Sequence, residues 1–166
     1  MFEMKDLDMM HYFLSMDRIS LGQGKYAVEI LKRFKMMDYK SMTTPMASNL
    51  KLLSVDSSDS IDSMMYHQMI GSLIYLTNTR PNICLAMNTL SQFLTDPKHV
   101  HLIAVKHILR YLKGTIDYGL KYDVNRKIKL HGYVDSYWAG NTTTRERTSG
   151  CCFSLGYGMF SWFSSK

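Results

Sequence analysis

The stretch Ile128-Lys129-Leu130-His131-Gly132-Tyr133-Val134-Asp135 decides the fold class, because the apolar repeat changes there from helical to period two. Ile128, Leu130, Gly132 and Val134 alternate with Lys129, His131, Tyr133 and Asp135, which predicts a strand with two unlike faces and Asp135 on the polar one. Further strands are expected at about Ser149 to Leu155 and Met159 to Ser165, joined by a tight hairpin across Gly156-Tyr157-Gly158. A three-stranded sheet carrying Phe153, Phe160 and Trp162 with no helix after it would leave a large apolar face wet.

Upstream of that change the repeat is helical. Asp96-Pro97 precedes a helix expected to run to Lys113, with Leu102, Val105, Ile108, Leu109 and Leu112 on its buried side and Gly114 as a left-handed cap. Before it, Asp62 or Ser63 can cap a helix reaching about Asn78 that buries Met65, Met69, Ile70, Leu73 and Leu76, and Arg80-Pro81 ends it. Pro81 suits the first turn of a further helix with Ile83, Met87, Leu90 and Leu94 on one face. Ala27, Ile30, Leu31 and Phe34 mark an amphipathic helix over Lys25 to Met36, and Thr43-Thr44-Pro45 favours extended backbone. Phe2 to Ile19 reads as a strand pair, or a strand and a turn. The fold class is therefore α+β, with a serine- and aspartate-rich linker over residues 54–63.

At 166 residues the chain has room for one domain or two small incomplete ones. A net charge of +6 allows a polyanionic partner without demanding one. Three cysteines, two of them adjacent at Cys151 and Cys152, form no disulfide framework and suggest a reducing compartment. Charges scattered through residues 1–30 leave no signal peptide or membrane span, so a cytosolic or nuclear location is the default.

The clearest binding signal is on the helix ending at Lys113. From Pro97 to Ile116 there is no acidic residue, while Lys106, Arg110 and Lys113 follow at spacings of four and three, on one stripe along which a phosphate backbone could lie. Three cations on an outer helix face are equally the pattern of a solvated surface, and near a helix C-terminus they favour the macrodipole. Asp135 could ligate a divalent metal, although an aspartate at a strand end is commonly a turn or cap residue and two-metal chemistry needs several oxygen ligands. His99, His101, His107 and His131 lack partners at zinc-binding spacings, and neither a nucleophile elbow nor a glycine-rich phosphate loop occurs.

Several phrases in fixed order resemble the Pol polyprotein of copia-type LTR retrotransposons, nearly end to end. Phe2-Glu3-Met4-Lys5-Asp6-Leu7, Tyr12-Phe13-Leu14, Gln23-Gly24-Lys25-Tyr26-Ala27, Glu29-Ile30-Leu31-Lys32-Arg33-Phe34 and Thr44-Pro45-Met46 resemble the segment beyond the polymerase palm. Ile70-Gly71-Ser72-Leu73-Ile74-Tyr75-Leu76-Thr77 with Thr79-Arg80-Pro81 resembles the helical thumb. Ile108-Leu109-Arg110-Tyr111-Leu112-Lys113-Gly114-Thr115 and Tyr118-Gly119-Leu120 resemble the lead into ribonuclease H, which the family opens with a strand ending Asp-x-Asp-Trp-Ala-Gly.

The resemblance implies a post-palm segment over 1–53, the linker, a thumb and connection region over 64–122, and a truncated ribonuclease H-like domain over 123–166. It implies that Asp135 is the remnant of a catalytic magnesium site, with Tyr137 where the family has a second aspartate. Magnesium would serve the parent enzyme, and none is expected to bind tightly here. The parent's partners would be an RNA–DNA hybrid or template-primer duplex, contacted by Lys106, Arg110 and Lys113, and the rest of the Pol polyprotein, with no membrane involved. The polymerase Tyr-x-Asp-Asp hairpin and the later ribonuclease H carboxylates are absent from these residues, Ser15 replaces a usual glycine, and Ser15 to Leu21 is short for the family. The expectation is thus a fragment inactive on its own. Two alternatives stand beside it: a non-catalytic nucleic-acid-binding module, and a structural remnant that dimerises through its uncovered sheet.

Overall fold

The computed structural model describes residues 11–15, 18–47, 52, 61–123, 129–137, 148–156 and 158–165, with the backbone alone at 11–15, 18, 135–137, 148, 149, 164 and 165. The opening phrase at 2–7, most of the 54–63 linker and the segment 138–147 lie outside the described residues. In chain order the elements are β1 (His11–Ser15), β2 (Arg18–Gly22), α1 (Gly24–Arg33), α2 (Ser63–Leu76), a 3-10 turn (Pro81–Ile83), α3 (Cys84–Ser91), α4 (His99–Lys113), β3 (Gly119–Asp123), β4 (Leu130–Tyr137), β5 (Thr148–Leu155) and β6 (Gly158–Ser165). The fold is α+β, with two three-stranded antiparallel sheets.

The helical repeats predicted from the sequence do build the core. Ala27, Ile30 and Leu31 of α1 meet Met69, Ile70, Leu73 and Leu76 of α2, Met87 and Leu90 of α3, and Val105, Ile108, Leu109 and Leu112 of α4, all buried in one cluster. Asp62 caps α2 as expected, its Oδ1 accepting from the N–H groups of Met64 at 2.9 Å and Met65 at 3.2 Å. Because α1 and α2 to α4 share this cluster, the expected boundary at 54–63 separates stretches of chain and not cores.

Helix ends depart from expectation for local reasons. Helix α1 stops at Arg33, short of Met36, because Lys35 turns left-handed at φ 54°. The Met36 N–H then donates to the Leu31 carbonyl at 2.8 Å and that of Lys35 to Lys32 at 3.1 Å, a Schellman closure that swings Met36 into the core. Gly114, expected as a left-handed cap, is right-handed at φ −75°, so that expectation is corrected. Its missing side chain serves proximity instead: a Cβ there would lie 3.1 Å from that of Ser41.

The first sheet has the order β1-β2-β3, so a strand following α4 closes onto the opening hairpin, with Leu21 opposite Leu120 and Gly22 opposite Gly119. A Cβ on Gly119 would sit 2.2 Å from the Leu21 carbonyl oxygen, so this pairing needs glycine. The second sheet has the order β4-β5-β6, its strands matching the predicted ones to within two residues, with a bulge at Phe153/Ser154. Gly156, at φ 62°, starts the β5–β6 turn. The sheet docks through its edge strand β6, where the Trp162 indole N–H donates to the Thr77 carbonyl at the end of α2 at 3.0 Å and the Tyr122 hydroxyl of β3 donates to the Met159 carbonyl. Trp162 is therefore not left uncovered, contrary to expectation: bonded to the turn after α2, it lines with Phe163 a pocket against Ile74, Thr77, Met87 and Ser91.

Candidate nucleic-acid interface

Lys106, Arg110 and Lys113 lie on α4 as the spacing predicted, each half-buried. What the spacing did not show is that a strap of chain over residues 39–44 runs antiparallel along them. Lys113 Nζ donates to the Tyr39 carbonyl at 2.8 Å, Arg110 Nε to the Lys40 carbonyl at 2.7 Å, and His107 Nε2 pairs with the Thr44 carbonyl at 3.0 Å. The Met42 N–H returns a bond to the Arg110 carbonyl at 3.2 Å. Helix numbers fall as strap numbers rise, so each turn of α4 holds the next piece of the strap, which bends over 43–46 where Thr44-Pro45 was expected to favour extended backbone.

These partners are carbonyl oxygens and not carboxylates, so the contacts orient the cations without neutralising them. Arg110 spends its Nε–H and Lys113 one ammonium proton, while a guanidinium has five N–H donors and an ammonium three. Lys106 makes no strap contact among the described residues. The strap also brings the exposed Lys40 beside Arg110, whose Nε–H its backbone carbonyl accepts. Nothing in the local pattern marked Lys40, because the contact joins residues 70 apart.

A second cation, read from the sequence only as a helix stop, is a buried tie. Arg80 is 2% exposed, and its guanidinium donates to the Thr115 hydroxyl at 3.2 Å, the Thr115 carbonyl, and the Ile116 carbonyl at 3.2 Å, while lying 5.6 Å from the centre of the Tyr118 ring. Those acceptors follow the C-terminus of α4, where the macrodipole favours positive charge. Burial pushes the guanidinium below its ordinary value, and Tyr111, Tyr118 and Asp117 oppose that shift. Nearby, the Thr79 hydroxyl donates to Gln23 Oε1 at 2.8 Å, fastening the same turn to the start of α1.

Histidine serves packing. The Lys98 N–H donates to His101 Nδ1 at 2.9 Å and His101 Nε2 meets the Leu52 carbonyl at 3.0 Å, a pair of bonds that the neutral tautomer protonated on Nε2 satisfies together. The ring stacks on Phe93 with centroids 3.9 Å apart.

The backbone of Asp135 lies in β4 opposite Gly150, and its side chain is outside the described residues. Asp123 ends β3, in the other sheet. Among the described residues no group of three or more histidines, cysteines, aspartates or glutamates could hold a metal ion. Among them, too, no helix is long and apolar enough to cross a membrane.

No family model matches the sequence, and no solved structure matches it. The chain is 39% identical over 171 residues to the retrovirus-related Pol polyprotein from transposon RE1 of Arabidopsis thaliana, an alignment covering 99% of this chain and 12% of that protein. It is 35% identical over 178 residues to the corresponding polyprotein from transposon TNT 1-94 of Nicotiana tabacum, covering 98% of this chain and 13% of the relative. An uncharacterized mitochondrial protein of Arabidopsis thaliana, AtMg00810, is 39% identical over 99% of this chain and 71% of its own length. The match thus runs the length of the chain and spans about an eighth of each of these polyproteins. The chain belongs to the Pol polyprotein family of copia-type retrotransposons.

Proposed function

We propose that the chain is the thumb and connection part of a reverse transcriptase running into the start of ribonuclease H, and that its own contribution is to hold a nucleic-acid duplex by its backbone. Lys106, Arg110 and Lys113, joined by Lys40, are the contacting groups. The observation that carries the reading is the clamp of strap carbonyls on Arg110 and Lys113, which fixes both side chains along one stripe and, among the described residues, pairs neither with a carboxylate. Such contacts position a duplex without reading its sequence. Neither polymerisation nor hybrid hydrolysis is ascribed to these residues.

Titration of a labelled RNA–DNA hybrid at low and moderate salt tests the reading. Four phosphate contacts predict an affinity about 100-fold weaker at 200 mM than at 50 mM salt. Changing Lys106, Arg110 and Lys113 together to alanine should remove most of the binding and of its salt dependence. Lys106→Ala alone, which leaves the strap contacts intact, should lower the salt slope by about one. Hybrid binding that ignores both changes, or no binding by a protein whose circular dichroism shows the helical core, would overturn the proposal.

A further inference from the structure

The strap that crosses α4 carries an aromatic ring as well as a cation. Tyr39 is 51% exposed, and its carbonyl accepts from Lys113 Nζ at 2.8 Å. Lys40, the next residue, is exposed too, and its carbonyl accepts from Arg110 Nε at 2.7 Å. The Met42 N–H donates to the Arg110 carbonyl at 3.2 Å, and Ser41 packs where Gly114 has no side chain, its Cβ 3.1 Å from where one on Gly114 would stand. The backbone that bears the Tyr39 ring is therefore fixed, and the ring retains only its two side-chain torsions. From Tyr39 to Ala47 and from Pro97 to Ile116 there is no acidic residue, so strap and helix together are a cationic neighbourhood, with Asp38 before it as the nearest acid in sequence. Tyr118 is exposed as well, but its ring is engaged by the Arg80 guanidinium at 5.6 Å.

We propose that Tyr39 stacks on an unpaired base, so that the basic stripe receives a nucleic acid in which a single strand adjoins the duplex. The inference rests on the duplex-binding reading and adds a base contact to it. Its chemistry is that of single-strand binding surfaces, in which cations follow the phosphates and an aromatic ring takes the flat face of a base. Inside a duplex each base has both faces covered by its neighbours. An unpaired base offers a face, and tyrosine takes it at low conformational cost. Every base has such a face, so the contact selects for strandedness and not for sequence. Lys113 and Arg110 are bonded to the carbonyls of residues 39 and 40, which puts charge for the phosphates within one residue of the ring.

Titration of the whole chain with three labelled RNA–DNA hybrids decides the matter: a blunt one, one with a single-stranded extension, and one whose extension keeps its sugars and phosphates and lacks its bases. The base-bearing extension should bind about tenfold more tightly than the abasic one, the size of one stacking contact. Both should show the same salt slope, since stacking releases no counterion. Tyr39→Ala should abolish the preference and Tyr39→Phe should keep it. The carbonyl that Lys113 holds is backbone and survives both changes, and an unaltered helical spectrum verifies the fold. A fluorescent purine analogue in the extension should be quenched by the native chain and not by Tyr39→Ala. Equal affinity for the two extensions, or a preference that survives Tyr39→Ala, would overturn the inference and leave the duplex reading standing. Binding to none of the three hybrids would overturn the duplex reading and this inference with it.

Discussion

Replacing Arg80 with methionine should be among the most damaging single changes outside the apolar core. The side chain is 2% exposed and supplies donors to the Thr115 hydroxyl, the Thr115 carbonyl and the Ile116 carbonyl. Methionine has similar length and leaves no large void, so the cost arises from polarity and not volume. Hydrogen bonds from a charged donor contribute about 1.5–3 kcal/mol each, which for three bonds gives a gross loss of roughly 6 kcal/mol. Relief from burying an ion returns several kcal/mol, but the Ile116 carbonyl loses the guanidinium donor and the Thr115 carbonyl keeps only the Tyr118 N–H at 3.0 Å, so the net cost is about 3 kcal/mol. The Thr115 hydroxyl keeps its own bond to the Tyr111 carbonyl at 3.0 Å and adds little. With a urea slope of about 2 kcal/mol per molar, the midpoint should fall by about 1.5 M, read by helical circular dichroism. Arg80→Lys should cost about half as much, because an ammonium cannot span the fork of acceptors. A midpoint within about 0.3 M of the native one for Arg80→Met would refute the claim that the guanidinium ties the turn after α2 to the end of α4.

Two further perturbations probe single groups. Tyr66 is fully buried, donates its hydroxyl to the Leu90 carbonyl at 2.8 Å, and has its pKa pushed up to about 12 by burial. Its folded pKa exceeds the unfolded one, so its contribution is complete below pH 10 and declines by about 1.4 kcal/mol per unit between pH 10 and 12. Native stability over Tyr66→Phe should therefore be about 1 kcal/mol at pH 8 and should reverse near pH 11 in paired urea titrations; a difference constant with pH would refute it. Lys35→Gly relieves a left-handed lysine on the surface and should raise stability by about 0.5–1 kcal/mol after glycine's entropic cost, and a lower urea midpoint would contradict that account of the α1 terminus.

Legibility followed the range of the interaction. The α2, α3 and α4 repeats, the Asp62 cap and the three strands of the second sheet were readable because each rests on contacts a few residues apart or on a hairpin between two glycines. The closure of β3 on β2 was not, because Leu21 and Leu120 are joined only through the packing of everything between them. Gly114 and Gly119 show how one residue type misleads: both were open to a conformational reading, yet one admits Ser41 and the other the Leu21 carbonyl. Tyr66 and Arg80 escaped notice as core residues because their polar ends looked outward on any hydrophobicity scale, while their partners, the Leu90 carbonyl and the carbonyls after α4, carry no side-chain signature.

The basic stripe shows why a sequence motif with a bland and a sharp reading need not resolve to one of them. Held by the Tyr39 and Lys40 carbonyls, Lys113 and Arg110 serve the fold, since they bind a strap that has no regular structure of its own. A carbonyl oxygen and a phosphate oxygen are both acceptors, and satisfying one donor of a multivalent cation fixes the direction of the others. Long side chains normally lose rotamer freedom worth about 0.5–1.5 kcal/mol each on binding, and here part of that loss has already occurred on folding. In the proposed interface the strap therefore acts on affinity through order and not through contact. A change that loosens the strap while sparing every cation, such as Gly114→Val against Ser41, should weaken duplex binding several-fold yet keep the number of released counterions, and so the salt slope, unchanged. A slope that fell with the affinity would show instead that the strap supplies phosphate contacts of its own.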